Sequence, residues 1–232
     1  SFYDDCVSFS IEGRSFPIDV RYRPIDESDE DRDLNAALVE AVRELDAEQH
    51  GDVLVFLPGE REIREAHAAI SRAAFAETEV LSLYARLNVM RQTKIFQPGA
   101  QRRIILATNV AETSLTVPRV RHVIDSGLAR VSRYSPRRKL QQLPIEKIAR
   151  ANADQRTGRC GREAPGICIR LYDEADYNAR RSSVEPEILR TNLAGVILRL
   201  KAMGIASVDD FPFAERPPER MLKDGYTVLQ EL

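Results

Sequence analysis

Four short and almost wholly apolar runs recur along the chain: Asp52–Leu57 (DVLVFL), Arg103–Ala107 (RIILA), Val120–Asp125 (VRHVID) and Ile167–Leu171 (ICIRL). A strand apolar on both faces must be covered on both faces, which points to a parallel sheet between layers of helix. Weaker strand character appears at Phe16–Tyr22 and Glu79–Tyr84. Between the runs the spacing of apolar residues turns helical. Leu34, Leu38, Val42 and Leu45 mark one helix, and further helices are predicted over Glu60–Arg72 and Val89–Phe96. Strand and helix in alternation predict an α/β fold, mostly parallel and joined by right-handed crossovers. Ligands of such sheets lie beyond the carboxyl ends of the strands, here the loops after Leu57, Ala107 and Asp125.

Two segments break the alternation. Gly127–Pro144 alternates in polarity around a Ser-Pro turn and carries many cations, which predicts a protruding basic β-hairpin. From Pro186 onward the texture is helical, with Ile188, Leu189, Leu193, Val196, Ile197 and Leu200 in period and Gly204 as the stop. Charge is divided just as unevenly. Residues 1–50 hold 14 acidic and 5 basic side chains, whereas residues 119–162 hold 12 basic and 3 acidic. A net charge of −2 thus conceals a candidate phosphate-binding surface, although a solvated arginine-rich face has the same composition. The acidic stretch Asp26–Asp33 lacks the glycine of a calcium loop and reads as a solvated link. Cys6, Cys160 and Cys168 form no CxxC pair and lie far in sequence from His50, His67 and His122, so a zinc site is not expected. Free thiols, with no apolar run of membrane length, predict a cytoplasmic monomer. The chain reads as an excised piece of something longer.

Two strings imitate an ATPase. Arg64-Glu65-Ala66-His67 lacks the leading Asp that would hold magnesium and falls inside a predicted helix. Asp173-Glu174-Ala175-Asp176 follows a strand, but no GxxxxGK[ST] phosphate cradle occurs in the 232 residues. The informative stretches are Ala107–Thr116 (ATNVAETSLT) and, 38 residues further on, Gln155–Arg162 (QRTGRCGR). The first places hydroxyls and amides at the end of a strand, where they can meet phosphates or merely cap a helix. In the second, Arg159 and Arg162 are three apart and can point the same way from one helical turn, and two glycines allow tight turns. Guanidinium forks suit the spread charge of a phosphoryl group.

In order and spacing, Leu54–Gly59 (LVFLPG), Leu83–Phe96 (LYARLNVMRQTKIF), Ala107–Thr116 and Gln155–Arg162 resemble motifs IV, IVa, V and VI of DEAH-box superfamily 2 helicases. The variants ETSLT and QRTGRCGR, with Leu143–Glu146 (LPIE) between them, are similar to the bacterial HrpA type, over roughly residues 16–232. The resemblance implies the second RecA-like lobe of an RNA helicase. It divides the chain into a linker and first strand (1–24), the lobe (25–180) and part of a winged-helix domain (181–232). ATP with Mg2+ would lie between this lobe and a first RecA-like lobe, which would hold most of the metal. Gln155, Arg159 and Arg162 would then act in catalysis. Ser114 would sense the phosphate, Phe96 would stack on the base, and Gly158 would line the nucleotide. RNA would be touched by Thr108, Asn109, Pro58, Gly59, Glu60 and the hairpin's Arg133, Arg137, Arg138 and Lys139. Many family members carry an Asp where this chain has Pro118, which has no carboxylate to offer. The other reading is a non-catalytic RNA-binding or scaffolding module that keeps the fold. A GxxxxGK[ST] and a DEAH box encoded ahead of Ser1 would favour the motor.

Overall fold

The computed structural model describes residues 16–25, 33–48, 51–87, 89–97 (for 89–92 the backbone alone), 100–113, 115–135, 138–205, 207–208 and 211–231. The chain forms two compact units. Of the described residues, one comprises those within 16–130 and 145–184, the other those within 131–144 and 185–231. The first strand belongs to the sheet, and the tip of the hairpin groups with the C-terminal helices.

The larger unit is built on a six-stranded sheet. Its strands are β1 (Ile18–Tyr22), β2 (Asp52–Phe56), β3 (Thr78–Leu83), β4 (Arg102–Ala107), β5 (Val120–Asp125) and a later strand over Gly166–Arg170. Two short antiparallel pairs intervene in the chain, β6 (Leu128–Arg130) with β9 (Ile145–Lys147) and β7 (Arg133–Ser135) with β8 (Leu140–Gln142), so the last sheet strand is β10. The order is β1-β10-β5-β2-β4-β3, and every neighbouring pair is parallel. Every residue of β2, β4 and β10 is buried, as the continuous apolar runs require.

Helices α1 (Leu34–Glu48) and α2 (Glu60–Ala73) cover one face, packing Leu38, Val42, Leu45, Ile63 and Ile70 against Val53, Val55, Ile104 and Ile169. Asp33 begins α1 by accepting the Ala36 N–H on its carboxylate at 2.8 Å. The opposite face takes α3 (Val89–Phe96), α4 (Val110–Thr113) and the segment after α5 (Arg150–Thr157), through Ile95, Ala111 and Cys160 against Leu54, Phe56, Ile105 and Val123. Burying each such aliphatic side chain contributes about 1.5–3 kcal/mol.

Charge inside β4 is matched locally. Arg103 donates to the Asp52 carboxylate at 2.6 and 2.8 Å, to the Ile95 carbonyl at 2.6 Å and to the Pro118 carbonyl at 3.0 Å. The pair is 3% and 2% exposed, so each charge depends on the other for solvation. At the other side of the sheet Gly161 has φ +70, and an added Cβ would sit 2.6 Å from Ile18 Cγ1. Gly161→Ala is therefore expected to destabilise the fold by about 1–3 kcal/mol through backbone strain alone. A urea unfolding midpoint unchanged from wild type would refute this.

The smaller unit holds the β7–β8 pair, a 3-10 turn at Glu187–Leu189, α6's successors α7 (Ala194–Ala202) and α8 (Glu219–Gln230), and a core of Leu193, Ile197, Leu200, Val208 and Leu222. Helix α6 itself (Glu174–Ala179) belongs to the larger unit.

Candidate functional site

The arginine segment begins on α5, where only Ala153 and Arg156, three apart, are buried. The helix stops at Thr157, so Arg159 and Arg162 lie beyond it rather than on one helical turn as expected. Gly158 caps the helix with ordinary right-handed dihedrals (φ −66), leaving Gly161 as the glycine whose conformation the turn requires. Gln155, Gly158 and Arg162 are exposed. Arg162 donates from Nε to the Gly158 carbonyl at 3.2 Å.

Arg159 is half-buried and turned toward the ATNVAETSLT segment, where it donates to the carbonyls of Leu115 (3.3 Å) and Glu112. Its Nε is buried with no hydrogen-bond partner. Desolvation, and then the like charge of Arg162, hold its pKa below the usual arginine value. A cation in that state gains from an incoming anion, which relieves both costs together.

Sequence reasoning assigned no role to Arg156, yet it is the most connected side chain of the region. It is fully buried and donates to Glu112 at 2.9 Å, to Asp125 at 2.6 Å and to the Leu128 carbonyl at 3.3 Å, with its guanidinium 4.9 Å from the Phe56 ring centroid. Burial alone would lower its pKa, but Asp125 and Glu112 hold it above the ordinary value. Both carboxylates are further satisfied. Asn152 donates to Glu112, while Tyr172 Oη (2.9 Å) and the Gly127 N–H (2.9 Å) donate to Asp125. The only hint in the sequence is an Arg at helical spacing from a buried alanine.

Part of the arginine segment lies at the carboxyl ends of the strands, where Arg156 meets Asp125 at the end of β5 and, like Arg159, meets Glu112 of α4. The arginine segment reaches the starting ends of β1 and β10, where the Gly161 carbonyl accepts the Phe16 N–H at 2.8 Å and the Gly166 N–H donates to the Pro17 carbonyl at 3.1 Å. Thr108, Asn109, Pro58, Gly59 and Glu60 follow β4 and β2 at the carboxyl ends, as expected for the loops there. Asn109 is exposed and Thr108 half-buried, and their carbonyls start α4 by accepting from Glu112 (3.0 Å) and Ala111 (3.2 Å). Pro58 and Gly59 are buried, and Glu60 is partly open at that turn. A Cβ on Gly59 would meet Arg130 Nε at 2.5 Å, so the position serves close packing.

In the smaller unit Arg133 donates to Glu185 at 2.8 Å, and Lys139 pairs with Glu231, so neither is simply a solvated cation awaiting phosphate. Arg138 is exposed, and its N–H closes the turn onto the Ser135 carbonyl at 3.2 Å. Phe96 ends α3 and is 37% exposed. Ser114 and Arg137 lie outside the described residues, as do Cys6, His50 and the stretch 26–32. The two ATPase-like strings have structural duties. Arg64–His67 lies within α2, while Asp173 caps α6 by accepting the Asp176 N–H at 2.5 Å. Asp176 itself pairs with Lys147 (2.8 Å) and Arg180 (2.7 Å).

The profile of the helicase conserved C-terminal domain matches residues 34–164, more than half of the chain. The chain belongs to this helicase family. The HrpA homolog of Haemophilus influenzae, named an ATP-dependent RNA helicase, is 52% identical over 230 residues, which is 99% of this chain and 18% of that protein. The Escherichia coli ATP-dependent RNA helicase HrpA is likewise 52% identical, over 99% of this chain and 18% of its own length. Two crystal structures of E. coli HrpB, one titled a DExH-box NTPase and the other a DEAH/RHA helicase, superpose with TM-scores of 0.84 and 0.86. Each is 32% identical and covers 94% of this chain, against 27% and 28% of the HrpB chains. The match to HrpA over nearly the whole chain makes this a helicase C-terminal lobe of the HrpA type, in the DEAH-box branch of superfamily 2. The chain spans about a fifth of the length of those curated relatives.

Within this helicase lobe the described residues contain no group of three or more His, Cys, Asp or Glu placed to hold a metal ion, and Glu112 and Asp125 are taken up by Arg156. Cys160 and Cys168 are buried free thiols. Burial pushes both upward, Cys168 to about 12, so both stay protonated and unreactive near neutral pH. Among the described residues no helix is long and apolar enough to cross a membrane.

Proposed function

We propose that this chain is the second motor lobe of an ATP-dependent RNA helicase. In this reading it supplies phosphate-facing arginines and part of the RNA track. The observation that carries it is Arg159, partly desolvated beside Arg162, with a buried and unpaired Nε. That arrangement fits a nucleotide phosphate delivered by a partner lobe of the same polypeptide.

Magnesium nucleotide supplies the γ-phosphoryl group to be transferred to water. The metal would be held mainly by the other lobe, since Glu112 and Asp125 beside the arginines are already committed to Arg156. Arg159 and Arg162 neutralise charge on the phosphates, the exposed Gln155 orients the attacking water, and Phe96 offers an open ring to the base. Asn109 and Thr108 take the RNA backbone, and in the smaller unit the exposed Arg138 offers a phosphate contact of its own. Contacts of this kind carry little sequence information, which suits a motor moving along any RNA. The two unpaired buried thiols are consistent with a reducing, cytoplasmic setting.

The test is an RNA-stimulated ATPase and strand-separation assay of the full-length protein. ATP turnover that rises on addition of RNA supports the proposal. RNA binding without any turnover would replace it with the scaffold reading.

A further inference from the structure

We infer that Arg156 is the positioning residue that lets RNA occupancy be read at the phosphate-facing arginines. The inference rests on the function proposed above and names the physical link within it. Three loops at the carboxyl ends of the strands lie on the RNA side, and Arg156 touches an element of each. Its guanidinium faces the ring of Phe56, the last residue of β2, directly before the turn at Pro58–Glu60. It bonds Glu112, on the four-residue helix opened by Thr108 and Asn109. It also bonds Asp125 and the Leu128 carbonyl, at the end of β5 and the base of the β6–β9 ribbon.

Three residues further along the chain, Arg159 donates to the backbone carbonyl of the same Glu112. Glu112 thus holds Arg156 by its side chain and Arg159 by its main chain. A shift of the Asn109–Glu112 turn when RNA binds moves both arginines together. Packed, fully satisfied networks of this kind shift as units rather than deform continuously. Lysine cannot replace Arg156 here. A single ammonium lacks the planar fork needed to reach Glu112, Asp125 and Leu128 together.

The experiment uses the full-length protein with Arg156→Lys and Glu112→Gln, each checked by circular dichroism and thermal melting. Glu112→Gln preserves shape and leaves Arg156 paired to Asp125, so it guards against loss of fold in the lysine variant. Two quantities are read. One is the ratio of ATP turnover with saturating RNA to turnover without it. The other is the ratio of single-stranded RNA affinities with ADP and with a non-hydrolysable ATP analogue. Both ratios are expected to fall toward unity, by at least about fivefold where the wild-type coupling is that large. RNA affinity without nucleotide should stay near wild type. A merely structural role would lower melting temperature and leave both ratios unchanged, and folded variants with wild-type ratios overturn the inference while the proposed function stands. A wild-type protein that RNA does not stimulate overturns both.

Discussion

Alanine at Arg159 is expected to lower RNA-stimulated ATP turnover of the full-length protein by about 10³–10⁵-fold, the range associated with loss of a phosphate-facing arginine. Arg162→Ala should lose activity in the same direction. Arg159 is half-buried with two carbonyl partners, so its removal strands the acceptors of Glu112 and Leu115 but opens no large cavity. The expected stability loss is only about 1–3 kcal/mol, and the fold should persist. The measurement is steady-state turnover at saturating RNA, with circular dichroism as the control. Turnover of a folded Arg159→Ala protein within about tenfold of wild type would remove Arg159 from the phosphate site.

Arg156→Met should have the opposite profile, with its first effect on stability. The guanidinium is fully buried, and its departure would leave Glu112 (4% exposed) and Asp125 (0%) as uncompensated charges. Breaking one side of a buried ion pair costs about 3–5 kcal/mol. In a unit of this size that corresponds to a melting temperature lowered by roughly 6–20 °C. Tyr172→Phe removes one hydrogen bond to the Asp125 carboxylate and should cost about 1.5–3 kcal/mol. Urea unfolding of both variants beside wild type tests the order. A methionine variant as stable as the phenylalanine variant would mean that the carboxylates find other partners or take up protons.

What the sequence disclosed, and what it hid, follows from the range of the forces involved. Strands β2, β4, β5 and β10 could be read directly, because burial on both faces leaves a local mark in runs such as DVLVF and GICIR. The helical spans were legible for the same reason, as Leu38, Val42 and Leu45 repeat along α1. The Arg156 network was not legible. Its bonds join residues 44 and 31 positions apart, and nothing local distinguishes a buried arginine from its exposed neighbour Gln155. The arginine pair shares no helical turn, because Gly158 caps α5 after Thr157 and Gly161 turns the chain toward β1. The hairpin was legible as a ribbon. The occupation of Arg133 and Lys139 by Glu185 and Glu231 was not, because those partners come from distant segments.

The arginine segment runs from the carboxyl ends of the strands, where Arg156 meets Asp125, to the start of β1, where the Gly161 carbonyl accepts the Phe16 N–H, and this sets a length. The six residues of β5 span roughly 20 Å at about 3.3 Å each. The Debye length at physiological salt is about 8 Å, so charge at one end is nearly invisible through water to the other. Added salt should therefore weaken the grip on RNA far more than it alters communication between the ends. What joins the two ends is the packed, hydrogen-bonded chain of side chains around Arg156, not charge acting through water.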